Sequence, residues 1–246
     1  MKRVLILTGA GRGIGAAVAR AAAREGYAVA INYRSDGGSA QRLLEEIQAA
    51  GGEAIAVRGD VGQEADVARL FARTEAELGP VTALVNNAGI TGRLGPFLNA
   101  DAHVIEEIFR INVHGVMHCS RAAVAAFRRH QQGGVIVNIS SIAAKTGSPG
   151  EYVHYAASKA AVEAFTVGLG RELAAEKIRV CGVAPGITLT DIHAAMGDPD
   201  RPHRVAARIP MQRPATPEDI AEPVLWLLSP AAGYITATTI PVAGGL

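Results

Sequence analysis

Tyr155 and Lys159 bracket the run Tyr155-Ala156-Ala157-Ser158-Lys159, and a spacing of four places both on one face of a helix. A free phenol has a pKa near ~10 and exchanges protons poorly at neutral pH. An ammonium beside the ring oxygen stabilises the phenolate, lowers that pKa and makes the phenol a usable acid or base. The same pair also occurs as plain decoration of an amphipathic helix, so two residues alone decide nothing. Lysine is scarce here, however. Only Lys2, Lys145, Lys159 and Lys177 interrupt basic residues that are otherwise arginine.

Other chemistry-bearing groups recur at the ends of apolar runs. The run Val4–Thr8 opens into Thr8-Gly9-Ala10-Gly11-Arg12-Gly13-Ile14-Gly15 and then an Ala/Arg helix over Ala16–Glu25 that stops at Gly26. Glycines at 9, 11, 13 and 15 let the backbone turn sharply and approach a diphosphate, and the helix behind them offers free N–H groups and a positive dipole end. A second apolar run, Ala28–Tyr33, ends in Asn32-Tyr33-Arg34-Ser35 with no acid before Asp36. In dinucleotide-binding folds an acid at this place grips a ribose 2′-hydroxyl and a basic side chain accepts a 2′-phosphate. Arg34, with Arg12 in reach from the glycine turn, favours NADP(H) over NAD(H).

Three further runs end the same way. Ala54–Val57 leads to Gly59-Asp60-Val61, where Asp60 suits either an adenine amino group or a loop cap. Ala83–Val85 leads to Asn86-Asn87-Ala88-Gly89, small and amide-bearing residues suited to contact with a cofactor ribose and to bracing central strands. Val135–Ile139 leads to Ser140-Ser141, candidates to hydrogen-bond a substrate oxygen. Ile178–Val183 delivers Ala184-Pro185-Gly186-Ile187-Thr188-Leu189-Thr190. Asn112 is an amide among Ile111, Val113, Val116 and Met117; it is either a satisfied core group or a holder of a water or a backbone carbonyl near a site.

The elements that must position these groups follow from the pattern. Runs of Val, Ile, Leu and Ala without alternation read as strands covered on both faces, and they alternate with helical segments. Helices are expected over Ser39–Ala50 with Ser39 as N-cap, Glu64–Leu78, a long region Asp101–Phe127, His154–Ala175 and Pro217–Leu228, with a last strand at Thr238–Val242. Lys145–Gly150 reads as a loop. Strand and helix in alternation give an α/β fold, a doubly wound, seven-stranded parallel sheet with helices on both faces. Ligands bind such sheets outside the carboxyl ends of the strands, where the glycine turn, Asn87, Ser141 and Thr188 all fall. From Asp191 to Arg213 prolines and basic residues break the pattern, which reads as a substrate lid at about 188–213 rather than a boundary. One domain is expected over 1–246.

Composition agrees. Hydrophobic residues make 49% and charged residues 19% of 246, with net charge +1, the profile of a globular chain rather than a disordered one. Scattered charge of both signs gives no nucleic-acid surface. Cys119 and Cys181 lie in apolar segments without metal-ligand spacing and read as reduced core residues. The apolar stretch after Met1-Lys2-Arg3 is too short for a signal peptide, and no stretch reaches the length of a membrane span. A soluble, cytoplasmic enzyme without metal is expected.

The motifs Thr8–Gly15, Asp60, Asn86–Gly89, Asn112, Ser141, Tyr155–Lys159 and Pro185–Thr190 together resemble the short-chain dehydrogenase/reductase family, over essentially the whole chain. The resemblance implies a Rossmann fold and an NADP(H)-dependent oxidoreductase that interconverts a carbonyl and an alcohol. It implies Tyr155 as general acid in reduction or base in oxidation, Lys159 lowering the Tyr155 pKa and binding the nicotinamide ribose, Ser141 orienting the substrate oxygen, and Asn112 holding a relay water. The Ile187 backbone and the hydroxyls of Thr188 or Thr190 would meet the carboxamide and diphosphate. Ser141 is preferred to Ser140 because the family's serine directly precedes the apolar residue that Ile142 matches, although the interval to Tyr155 is one residue longer than in many members. Gly147–His154 resembles sugar or glucose dehydrogenases. A 3-oxoacyl-carrier-protein reductase is the alternative within the family, with Arg128, Arg129 and Arg171 available to an acidic carrier; a non-catalytic NADP-sensing protein is the alternative outside it. Family members are commonly tetramers built on the helices flanking strand five and on the last helix and strand, so a homotetramer or homodimer is implied.

Overall fold

The computed structural model describes residues 2–246. Seven strands form one sheet: β1 (Arg3–Leu7), β2 (Tyr27–Tyr33), β3 (Ala54–Arg58), β4 (Ala83–Asn86), β5 (Gly134–Ile139), β6 (Ile178–Pro185) and β7 (Thr238–Val242). All neighbours pair in parallel, in the order β3-β2-β1-β4-β5-β6-β7. The order reverses between β1 and β4, which opens a crevice at their carboxyl ends.

The helices are α1 (Gly13–Arg24), α2 (Gly37–Ala49), α3 (Glu64–Leu78), α4 (Ala102–Phe109), α5 (Gly115–His130), α6 (Ala143–Thr146), α7 (Val153–Leu173), α8 (Ile192–Ala195), α9 (Arg201–Arg204) and α10 (Pro217–Leu228). They cover both faces of the sheet, which is why the strands show no polar alternation. Leu5 and Leu7 of β1 pack into one layer with residues of α1, α2 and α10. Val4 and Ile6 point the other way, into a layer with residues of α3 and α5 and Leu173 of α7. All four are fully buried. Among the described residues no helix is long and apolar enough to cross a membrane.

Several expected boundaries move, each for a local reason. The second helix starts at Gly37 because Asp36, not Ser39, is its N-cap, and the Asp36 carboxylate accepts from the Ser39 N–H at 2.9 Å. Lys145 lies not in a loop but in the short α6, which follows a turn capped by Ser141. The long helix expected from Asp101 is interrupted. Asp101 caps α4, and a π-helical turn, Arg110–His114, separates α4 from α5. That wider turn buries Ile111, Asn112 and Val113 in succession, which a regular helix at 100° per residue does not do, and such turns recur at functional sites. The lid carries α8, α9 and a 3-10 turn, Ala206–Arg208, and its two ends are joined by Leu189 N–H to Ala215 and Ala215 N–H to Ile187 bonds of 2.9 and 2.8 Å.

Candidate active site

The carboxyl ends of the strands and the lid enclose one cavity of about 790 Å3. Every candidate residue of the sequence except Gly15 and Asn112 lines it. Gly15 lies beneath the floor: a Cβ there would sit 2.6 Å from the Gly9 carbonyl and 2.8 Å from Ala10 Cα, so glycine is required for α1 to dock on its own entry turn. Gly13, at φ +54°, lies where a Cβ would be 3.2 Å from the Thr190 methyl, so turn and lid meet there.

At one end of the cavity stand the proton-handling groups. Tyr155 is buried, its ring edge-on to Tyr152 with centroids 5.3 Å apart. Ser141 Oγ accepts from the Ala143 N–H at 3.1 Å, which fixes the oxygen, and Ser141 and Tyr155 both line this end of the cavity. Ser140 faces elsewhere: it is buried and bonds to the Lys159 carbonyl and to Glu163. Lys159 donates to the Ile139 carbonyl at 2.8 Å, and its Nζ lies 5.7 Å from the Tyr155 ring centroid. The expected direction of the Tyr155 shift needs correction. Burial pushes its phenol up, above the ordinary range, with Ser141 opposing, and burial holds Lys159 down to about 8. Desolvation acts on both groups and outweighs the attraction of an ammonium that is directed at a carbonyl. Burial thus favours the protonated phenol of Tyr155.

Asn112 is a buried, satisfied amide that holds a backbone carbonyl. Its side chain accepts from the Ile90 N–H at 2.9 Å and donates to the Ile90 carbonyl at 2.8 Å and to Ser158 Oγ at 3.0 Å. Oxygen and amide are both committed, so the side chain clamps the loop that follows β4. Asn87 and Asn32 are also braces. Asn87 donates to the carbonyls of Thr8 and Gly9 at 3.0 and 2.9 Å. Asn32 accepts from Gly9 N–H and donates to the carbonyls of Val57 and Gly59. The Asp60 carboxylate is occupied by the Gly62 N–H at 2.9 Å and by Arg110 at 3.0 Å.

At the cavity's middle the glycine turn suits a diphosphate. Arg12, the N-cap of α1, makes no side-chain cap, and no acid stands in the first turn. In contrast, Asp36, Asp101 and Thr216 cap α2, α4 and α10. The open N–H groups of α1, at a wall formed by Gly11, Arg12, Gly13 and Ile14, are the donors an anion takes at a helix N-terminus. Arg34, half-exposed at the end of β2, lines the far end. The residues present thus fit a dinucleotide.

The comparisons agree with this geometry. A family model described as enoyl-(acyl carrier protein) reductase matches residues 9–246. The chain belongs to the short-chain dehydrogenase/reductase family. Among curated relatives, it is 43% identical to an uncharacterised oxidoreductase, YgfF, of Escherichia coli K12, over 98% of this chain and 99% of that one. It is 38% identical to an L-rhamnose 1-dehydrogenase (NAD(P)+) of Sphingomonas sp. SKA58, over 99% and 96%. Among solved structures, a short-chain dehydrogenase/reductase from Mycobacterium marinum superposes with a TM-score of 0.93 at 33% identity, over 99% and 94%. A 3-ketoacyl-(acyl-carrier-protein) reductase from Brucella melitensis, complexed with NADH, gives 0.91 at 33% identity, over 99% and 97%. The chain is thus an oxidoreductase of this family, acting between carbonyl and alcohol with a nicotinamide cofactor.

Two features of this family member, apart from the bracing role expected of Asn86, were not legible as site residues. One is a buried polar chain behind it: Asn86 donates to Asn138 at 2.8 Å and to Ser120 at 3.1 Å, and Asn138 donates to Thr166 at 2.9 Å, tying β4, β5, α5 and α7 together. A lone Asn inside the apolar run Val135–Ile139 was the available signal. The other is a lid clasp. Arg201, 5% exposed, donates to Glu151 at 2.6 Å and lies over the Tyr152 ring at 5.6 Å. Fifty residues separate its partners, and nothing in their spacing announces the pair. Beside it, Met196, Leu94 and Ile192 pack with Tyr152 and Tyr155 into an apolar wall.

Proposed function

We propose that this enzyme is an NADP(H)-dependent carbonyl reductase/alcohol dehydrogenase in which Tyr155 is the acid/base. One observation carries the reading: a buried Tyr155, with Ser141 at the same end, shares a cavity with the uncapped N-terminus of α1 and with Arg34. When bound, the nicotinamide supplies or accepts the hydride. In reduction, Tyr155 gives its phenolic proton to the carbonyl oxygen as charge develops there, and Ser141, held in place by the Ala143 N–H, hydrogen-bonds the same oxygen. Lys159 places a positive charge beside the resulting phenolate and bonds the cofactor ribose. In oxidation Tyr155 takes the proton back. The apolar wall and the clasped lid keep water from the reacting carbon.

For the 2′ position, Arg34 with Arg12 favours NADP(H), and no acid of β2 competes for a ribose hydroxyl. Arg34→Asp is expected to reduce the NADPH/NADH preference by at least about tenfold, the scale of one added and one removed charge near a phosphate; equal shifts in both dissociation constants would count against the assignment. The reaction itself is tested by following NADPH oxidation with a panel of aldoses, simple ketones and 3-oxoacyl thioesters. Turnover of none of them by a protein that binds NADPH would favour the sensor. A carrier-protein substrate finds little support on the surface, because Arg128 is paired with Glu176 and Arg129 with Glu75.

We also infer assembly into a homotetramer or homodimer. The outward face of α7 presents Ala157, Ala160, Ala164 and Gly168, all exposed, at helical spacing, and Met117 of α5 and Trp226 of α10 are exposed apolar side chains. Such faces are what subunit contacts cover. Light scattering on the eluted protein is expected to give two or four times the chain mass; a monomer at micromolar concentration would contradict it.

A further inference from the structure

Four charged side chains meet at the adenosine end of the cavity. Arg34 Nη1 lies 3.9 Å from Asp60 and 3.8 Å from Glu107, beyond hydrogen-bond distance of either. Arg110 takes both carboxylates closely. Its Nη2 is 3.0 Å from Asp60 and 3.0 Å from Glu107, and its Nε donates to the second Glu107 oxygen. Arg110 is pinned where it is: a Cβ on Gly62 would fall 2.0 Å from its Nη1, so the guanidinium lies directly on that glycine. The Arg110 bonds hold Glu107 below its ordinary carboxylate range, and at Asp60 they help overcome a desolvation that acts the other way. Both acids are therefore ionised, and the four charges cancel.

The arrangement is a competition. Without Arg110, Glu107 and Asp60 would be two carboxylates within 4 Å of Arg34. They would draw Arg34 into a tight pair and repel a phosphate of charge about −2. Resting on the NADP(H) reading above, we propose that Arg110 is a specificity-determining residue for the cofactor: by chelating Glu107 and Asp60 it keeps Arg34 available to a 2′-phosphate and cancels the acids' charge there. Arg110 starts the π-helical turn whose Asn112 clamps Ile90, so the same local widening of the helix serves both ends of the cavity.

The proposal predicts effects of opposite sign from two partners in one ion pair. A unit charge about 6 Å from a phosphate, in the dielectric of a half-exposed site, changes affinity about three- to tenfold. Glu107→Gln keeps the shape and removes one negative charge; the dissociation constant for NADPH, read by nicotinamide fluorescence on the full chain, is expected to fall about three- to tenfold while that for NADH stays the same. Arg110→Met is expected to raise the NADPH constant by at least as much, again sparing NADH, and Arg110→Lys to recover most of the loss. All three shifts are expected to shrink in 1 M salt, where charges are screened within about 3 Å. A merely structural ion pair would weaken both cofactors from either side. An unchanged NADPH/NADH ratio in Glu107→Gln, or a shift toward NADH, overturns the proposal, and this near-isosteric variant decides the matter if Arg110→Met does not fold. Should the wild-type protein show no preference for NADPH, the cofactor reading falls, while the sign of the Glu107→Gln shift still judges Arg110.

Discussion

Tyr155→Phe is expected to lower kcat by about 10²–10⁴-fold, the range for removal of a positioned general acid, and to leave the NADPH dissociation constant within about twofold. The substitution deletes one oxygen and nothing else. The ring keeps its edge-on packing against Tyr152 and its place beside Met196, so the cavity wall is unaltered. Ser141 remains fixed by the Ala143 N–H, and it still donates to a substrate oxygen, which leaves residual turnover above zero. The melting temperature should change little, because a single buried hydroxyl is removed and the packing stays in place. Steady-state kinetics beside a fluorescence titration make the check. Near-normal turnover would remove Tyr155 from the chemistry, whereas equal loss of turnover and of NADPH binding would make it a cofactor contact only.

Lys159→Met should separate activity from stability. Turnover is expected to fall about a hundredfold or more, because no cation then stands beside the phenolate formed as Tyr155 gives up its proton. Stability is expected to move the other way. The buried ammonium has a pKa lowered from 10.5 to about 8 by desolvation, so between about pH 8 and 10.5 the unfolded chain binds more protons than the folded one. Wild-type stability therefore rises with pH across that window, and the cost of the buried charge is fully present below it. That cost is about 3 kcal/mol at 1.36 kcal/mol per unit of pKa. Methionine removes it but leaves the Ile139 carbonyl without its 2.8 Å donor, a loss of about 1–2 kcal/mol. The variant should melt at the same temperature as the wild type or a few degrees higher at pH 7, and the advantage should vanish by about pH 10.5. A variant that melts well below the wild type at neutral pH would mean that Lys159 holds the fold rather than burdening it.

These two residues were readable because their chemistry is local. Tyr155 and Lys159 are four apart on one helix, and the glycines of the first turn follow directly on a buried strand; short-range spacing and strand–helix alternation determined the fold class and the strand ends, and nearly every residue they singled out lines the cavity. The signs of interactions that depend on burial were decided elsewhere. Whether Lys159 lowers or fails to lower the Tyr155 pKa depends on how much water each has lost and on which acceptor the ammonium faces, here the carbonyl of Ile139 on another element. The Asn112 side chain became a clamp because the chain widens into a π-helical turn that no residue pattern announces. Arg110 meets Asp60 across fifty residues, and Arg201 meets Glu151 across fifty more. Such pairs form only when segments that follow different strands arrive at one rim. The sequence by itself determined which groups stand at that rim; the tertiary structure decided which are committed to each other, because desolvation and long-range pairing are properties of the packed chain.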